Sequence, residues 1–209
     1  MQLSHWSEFD AVRGKREQDW KAHMPEGLTT RINIFKARFG VAARIDAISF
    51  SPSFDDATAQ AYLAGTRLLL AYSAGEAFMR AEDLLRGRKA VRITSWSISR
   101  ASLARKMVPL AELLIDKSDS HGALNGSTKK YLKDFVAGEK SDVRPVATAL
   151  RHVHTHGGLT ARSVAGESGD QGVDFVDCIN ELASALLERC DEKFSQMVKE
   201  IGSILSAKS

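Results

Sequence analysis

Cysteine is scarce in this sequence. The 209-residue chain has two, Cys178 and Cys190, and both fall in a stretch read as one helix, where a rise of about 1.5 Å per residue sets them about 18 Å apart. That is beyond the reach of a disulfide. A disulfide-stapled scaffold is therefore excluded, and two free thiols fit a reducing compartment. Proline is also rare: four prolines and fifteen glycines leave little room for a disordered linker. The longest apolar run, residues 68–74, is far too short to cross a bilayer. The opening MQLSHWSEFDAVRGK is charged within ten residues and lacks the apolar core of a secretory signal. The expectation is a cytoplasmic protein with no membrane partner. Charge of one sign is lacking too. Against 26 acidic residues stand 29 basic ones, for a net +3. A polyanion is a compatible partner, but this is not the charge footprint of a dedicated nucleic-acid binder.

Strand-like alternation is almost absent, save for a short extended connector over residues 90–94. Helical periodicity takes its place. Ser4 is positioned to cap a helix that runs to about residue 24 and stops at Pro25 and Gly27. A second helical piece covers residues 29–39 and ends at Gly40, and residues 41–52 fit no single element. Ser53, followed by Phe54, Asp55 and Asp56, reads as a helix start, with a serine cap and acids in the first turn where the helix dipole favours them. From there one long helix reaches Arg86 and ends at Gly87, with Leu63, Leu69, Leu70, Phe78, Leu84 and Leu85 as its apolar positions. Gly65 and Gly75 within it suggest close approach of a neighbouring helix.

A helix over residues 98–116 contains Pro109, which should kink or split it. A polar loop over 119–126 leads to a short helix over 127–137. Ser141 or Asp142 starts a further helix, with Pro145 tolerated in its first turn and Gly157-Gly158 as its stop. After a loop over 159–172, the last helix, residues 173–205, carries the clearest stripe in the chain: Phe175, Ile179, Leu182, Leu186, Cys190, Phe194, Met197, Ile201 and Ile204. Such a stripe could serve the core at one end and a partner helix at the other. The three tryptophans, Trp6, Trp20 and Trp96, are normal for core or interface use. The expected fold is all-α, a bundle of about five or six helices with a long C-terminal helix. The expected domains are an N-terminal helical extension over residues 1–50, packed on the core, and a helical domain over residues 51–209.

Three of the six histidines fall within Arg151-His152-Val153-His154-Thr155-His156. Three readings are open. In a helix, His152 and His156 share a face at i and i+4 and could grip a zinc ion, but no glutamate follows His152 as in HExxH, and no other His or Cys has ligand spacing. The expectation is no metal and no cofactor. A bland reading makes the histidines a surface cluster favoured by the dipole at a helix C-terminus.

The third reading includes Arg151. The run Ala149-Leu150-Arg151-His152, then His156-Gly157, resembles the signature of the HEPN superfamily: an arginine, a polar residue directly after it, and a histidine with four to six residues between it and the arginine. The match of Arg16 with His23 has Glu17 at the polar position and is set aside. The resemblance extends to the helical layout and to the stretch from Leu68 to Ala77, similar to the earlier family helix that carries a polar or acidic residue facing the motif. It covers residues 54–205 loosely.

The resemblance implies a metal-independent endoribonuclease that leaves 2′,3′-cyclic phosphate ends, acting as a toxin or in phage defence or stress. In the family, two copies of the motif meet across a homodimer. By this resemblance Arg151 binds phosphate, His156 is the catalytic acid/base, His152 orients the substrate or the arginine, and Glu76 is a supporting residue. RNA is the implied partner, with an antitoxin or regulatory protein as a possible second. His154 lies outside the pattern. Gly158 stands where antitoxin-modified members carry a tyrosine, which puts that mode of control in doubt. The alternative reading is a non-catalytic helical module that dimerises and binds a nucleotide or a partner protein.

Overall fold

The computed structural model describes residues 2–49, 54–87, 96–122, 124–155, 160, 161, 164 and 174–207. Among these residues there are nine helices: α1 (Trp6–Lys15), α2 (Glu17–His23), α3 (Leu28–Arg44), α4 (Asp56–Arg86), α5 (Ala101–Lys106), α6 (Val108–His121), α7 (Gly126–Val136), α8 (Arg144–Thr155) and α9 (Phe175–Ala207). The described residues form no strand, and a single bridge pairs Ser99 with Asp142. The all-α expectation with a long final helix holds.

The chain divides into two compact units. One comprises residues 1–44, 70–95 and 186–209, the other residues 45–69 and 96–185. The N-terminal helices thus share a unit with the second halves of α4 and α9.

In the first unit an aromatic cluster dictates the local breaks. Phe9 and Trp20 are buried, with ring centroids 5.7 Å apart and edge-on. A straight helix would separate their Cα atoms by about 16 Å, so the single helix expected over residues 4–24 cannot form. The chain leaves helical geometry at Arg16 (φ −127°, ψ 42°), and α1 and α2 fold against one another. Ser4 does not cap α1. Its N–H donates to Asp191 Oδ1 at 2.8 Å and its hydroxyl donates to Asp191 Oδ2, pinning the N-terminal segment to α9.

Helix α3 also departs from expectation. It runs through Gly40 to Arg44 because its buried positions, Leu28, Ile32, Phe35, Phe39 and Ala42, continue the three-four spacing past the glycine. Phe194 of α9 sits at the centre of the cluster, meeting Trp6 at 5.9 Å, Phe9 at 5.8 Å, Phe35 at 5.7 Å and Phe78 at 6.4 Å. Glu82 is fully buried here and Lys193 nearly so. Glu82 reaches the Arg86 guanidinium at 3.8 Å, and Arg86 in turn pairs with Glu200 at 2.6 Å. Burial, and then Arg189, push the Lys193 ammonium below its ordinary range.

In α4 the cap is Asp55: its carboxylate accepts the Thr58 N–H at 2.9 Å and the Thr58 hydroxyl at 2.8 Å. Ser53, expected as the cap, lies outside the described residues. The helix ends at Gly87 with φ +74°, a left-handed stop that glycine adopts without strain. Its buried face is largely alanine: Ala61, Ala64, Leu68, Ala71, Ala74, Ala77, Phe78 and Ala81. Leu63, Leu69, Leu70, Leu84 and Leu85 are half-buried on the flanks. Small side chains let a neighbouring backbone come close, and the leucines cover the edges of that contact.

The second unit is organised around α6, α7 and α8, which pack on one another. The helix expected over residues 98–116 is split at Met107, with Pro109 in the first turn of α6, where its missing N–H costs nothing. The stripe of α9 is buried within the chain from Phe175 to Ile201 and ends on Leu205 rather than Ile204. No helix among the described residues is long and apolar enough to cross a membrane.

Candidate functional site at the end of helix α8

Asp142 sets the start of α8. Its Oδ1 accepts the N–H of Arg144 at 3.0 Å and the N–H of Ile98 at 2.8 Å, and its carbonyl accepts the Tyr131 hydroxyl at 2.9 Å. One carboxylate thereby satisfies an otherwise open donor of the first turn and ties α8 to the segment before α5. Burial, and then the Asp142 charge, push the Tyr131 phenol above its usual range. Asp142→Ala should cost about 2 kcal/mol, the magnitude of lost hydrogen bonds to a charged acceptor. The check is the midpoint of a urea unfolding curve, and a shift no larger than that of a surface substitution would remove Asp142 from this role.

From that start, Val146, Ala147, Ala149, Leu150 and Val153 form the buried arc of α8. Arg151, His152 and His154 are half-buried on its flanks. Arg151 and His154 share a face, as residues three apart do. Together with Gly65, Leu68 and Leu69 of α4, and with Ala161, Val164 and Ile179, they line a small apolar cavity of about 20 Å³. That is room for about one water molecule. His152 is on the other flank and does not line it.

His154 rests against the backbone of α4. A Cβ on Gly65 would lie 3.7 Å from His154 Nε2 and 3.8 Å from Cε1. This is ordinary contact, so the close approach expected at Gly65 exists but does not demand glycine. Gly65→Ala is expected to raise stability by about 0.5–1 kcal/mol through helix propensity, measured as a higher melting temperature. A loss of stability would mean that the histidine packs more tightly than these distances show.

The structure brings Arg151 and His154 together and leaves His152 beside them. His156 and Gly157-Gly158 lie outside the described residues, so the zinc pair of His152 with His156 and the glycine stop do too. Glu76 is half-buried on α4 and belongs to the first unit, whereas α8 belongs to the second. Among the described residues no group of three His, Cys, Asp or Glu side chains comes together as a metal site would need. Both cysteines are free and buried. Burial pushes the Cys178 thiol up and the Cys190 thiol much further, which suppresses the reactive thiolate.

His154 was the residue that sequence reasoning passed over. Its signal was present in the spacing: three residues after Arg151 in a helix is the neighbouring position on the same face. Compared with known proteins, the chain matches no family model, no curated protein and no solved structure.

Proposed function

We propose that the chain is a metal-independent endoribonuclease whose centre is the last turn of α8. The observation that carries this reading is the meeting of Arg151 and His154 on one face of that turn, with His152 on its flank and all three half-buried. RNA carries its own nucleophile. The 2′-oxygen attacks the adjacent phosphorus, its proton passes to a base, the bond from phosphorus to the 5′-oxygen breaks, and an acid returns a proton to that oxygen. The products are a 2′,3′-cyclic phosphate and a 5′-hydroxyl. Arginine suits the phosphate because its charge is permanent and its planar fork matches two oxygens. Histidine titrates near neutrality and can serve as acid or base. The resemblance to HEPN proteins assigns proton transfer to His156 and orientation to His152. The shared face makes His154 a second candidate for proton transfer. A homodimer that sets two such turns side by side would supply the two proton-transfer groups the reaction needs. A toxin or defence role belongs to the same reading.

One observation favours the alternative of a non-catalytic helical module. The cavity beside Arg151 has room for about a single water, so a phosphate cannot enter it and would have to be bound at its rim. Incubating end-labelled RNA with the protein in EDTA separates the two. Cleavage that leaves 2′,3′-cyclic phosphate ends supports the enzyme, whereas intact RNA, or cleavage only with added metal, rejects it.

A further inference from the structure

A second candidate site lies in the first unit, and it does not depend on the reading of Arg151. Between α1 and α3 is an open pocket of about 300 Å³, at the lower end of the volumes that hold small organic ligands, roughly 300–1,000 Å³. Its apolar surface comes from Leu3 and Trp6, backed by the fully buried Phe39, and its charge from Lys36 and Arg44. Among the described residues, no carboxylate lines it.

Contacts on several sides hold these groups in place. Lys36, Gly40 and Arg44 follow one another at four-residue steps, so they lie along one face of α3. The Arg44 Nε–H donates to the Gly40 carbonyl at 2.9 Å, which lays the guanidinium flat along the helix. A Cβ at Gly40 would stand 3.1 Å from an Arg44 terminal nitrogen, so the glycine makes room for that arrangement. The Lys36 ammonium sits over the Trp6 ring, 3.6 Å from its centroid, and the indole stacks on Phe194. The wall formed by the N-terminal segment is fixed through Ser4 and Asp191.

We infer that this pocket binds a small phosphate monoester carrying an aromatic ring. The guanidinium, with Nε already used, presents its terminal N–H groups to two oxygens, the pattern that matches phosphate. A second cation without a facing carboxylate suits the near-dianionic charge of a monoester at neutral pH. The indole offers the ring an apolar surface, with the buried Phe39 behind the pocket wall. When the phosphate takes the Lys36 ammonium, the face of Trp6 that the ammonium covered becomes available for stacking.

The test is calorimetric titration of the full chain with adenosine 5′-monophosphate and with phenyl phosphate, against adenosine and inorganic phosphate as the separate halves. At least one monoester should bind, and each half about tenfold or more weaker. Whichever monoester binds tighter identifies the source of the ring. Lys36→Ala and Arg44→Ala should each weaken binding about tenfold. Gly40→Ala is the decisive variant, because it displaces only the end of the Arg44 side chain and replaces a mid-helix glycine. Its melting temperature should stay the same or rise while binding weakens. Absence of heat with both monoesters, binding unchanged in all three variants, or inorganic phosphate binding as tightly as the esters would each overturn the assignment.

Discussion

Phe194→Ala should cost about 3–5 kcal/mol of stability, the range for truncating a fully buried aromatic side chain. Phe194 is 0% exposed and touches four other aromatic rings, drawn from α1, α3 and α4. Its removal leaves a cavity bounded by rings too large to collapse into it. Small domains hold roughly 5–15 kcal/mol in total, so the variant should lose a large part of its stability and much of its near-ultraviolet circular dichroism. Two neighbours in the same helix calibrate the result. Leu205→Ala, also fully buried, should cost about 2–5 kcal/mol. Ile204→Ala, half-exposed, should cost under about 1 kcal/mol. If Ile204 proved the costlier of the pair, the register of α9 in its last turn would be wrong.

The stripe of α9 was legible in the sequence because its period is long, regular and built from large side chains. The C-terminal end of α4 and the split at Met107 were legible because Gly87 and Pro109 act locally. Other elements were decided by contacts that local sequence does not carry. Gly14 weakens the helix near Arg16 but sits inside α1; the break at Arg16 follows from Phe9 meeting Trp20. Gly40 reads as a stop, yet it sits in the helix interior because Phe39 and Ala42 bury on the same face. Ending α3 at that glycine hid Arg44, and with it the pocket shared with Lys36 and Trp6. In α4 a reading by hydropathy favours the leucines, while the packed face belongs to alanines that permit close approach. At the candidate site, Arg151 was visible as part of a pattern. His154 was missed because the pattern assigns it nothing, although helical spacing places it beside the arginine.

The second large effect is expected at Arg151. If its guanidinium binds the phosphate as charge builds in the transition state, Arg151→Ala should lower RNA cleavage by about 10²–10³-fold, the usual loss when one such donor is removed. Arg151→Lys should recover only part of this, since an ammonium keeps the charge but loses the two-point fork. His156→Ala, His154→Ala and His152→Ala then divide the remaining roles. Loss of rate with a shifted pH profile marks the residue that moves the proton, whereas loss with an unchanged profile marks one that only orients.

The most direct test is a single ratio: the initial rate of cleavage of labelled RNA by the wild-type chain in EDTA, divided by that of Arg151→Ala at equal concentration. A ratio of about 100 or more, with both proteins folded by circular dichroism, is the predicted result. A ratio near one, or no cleavage by the wild type, would contradict an RNA-cleaving centre at the end of α8.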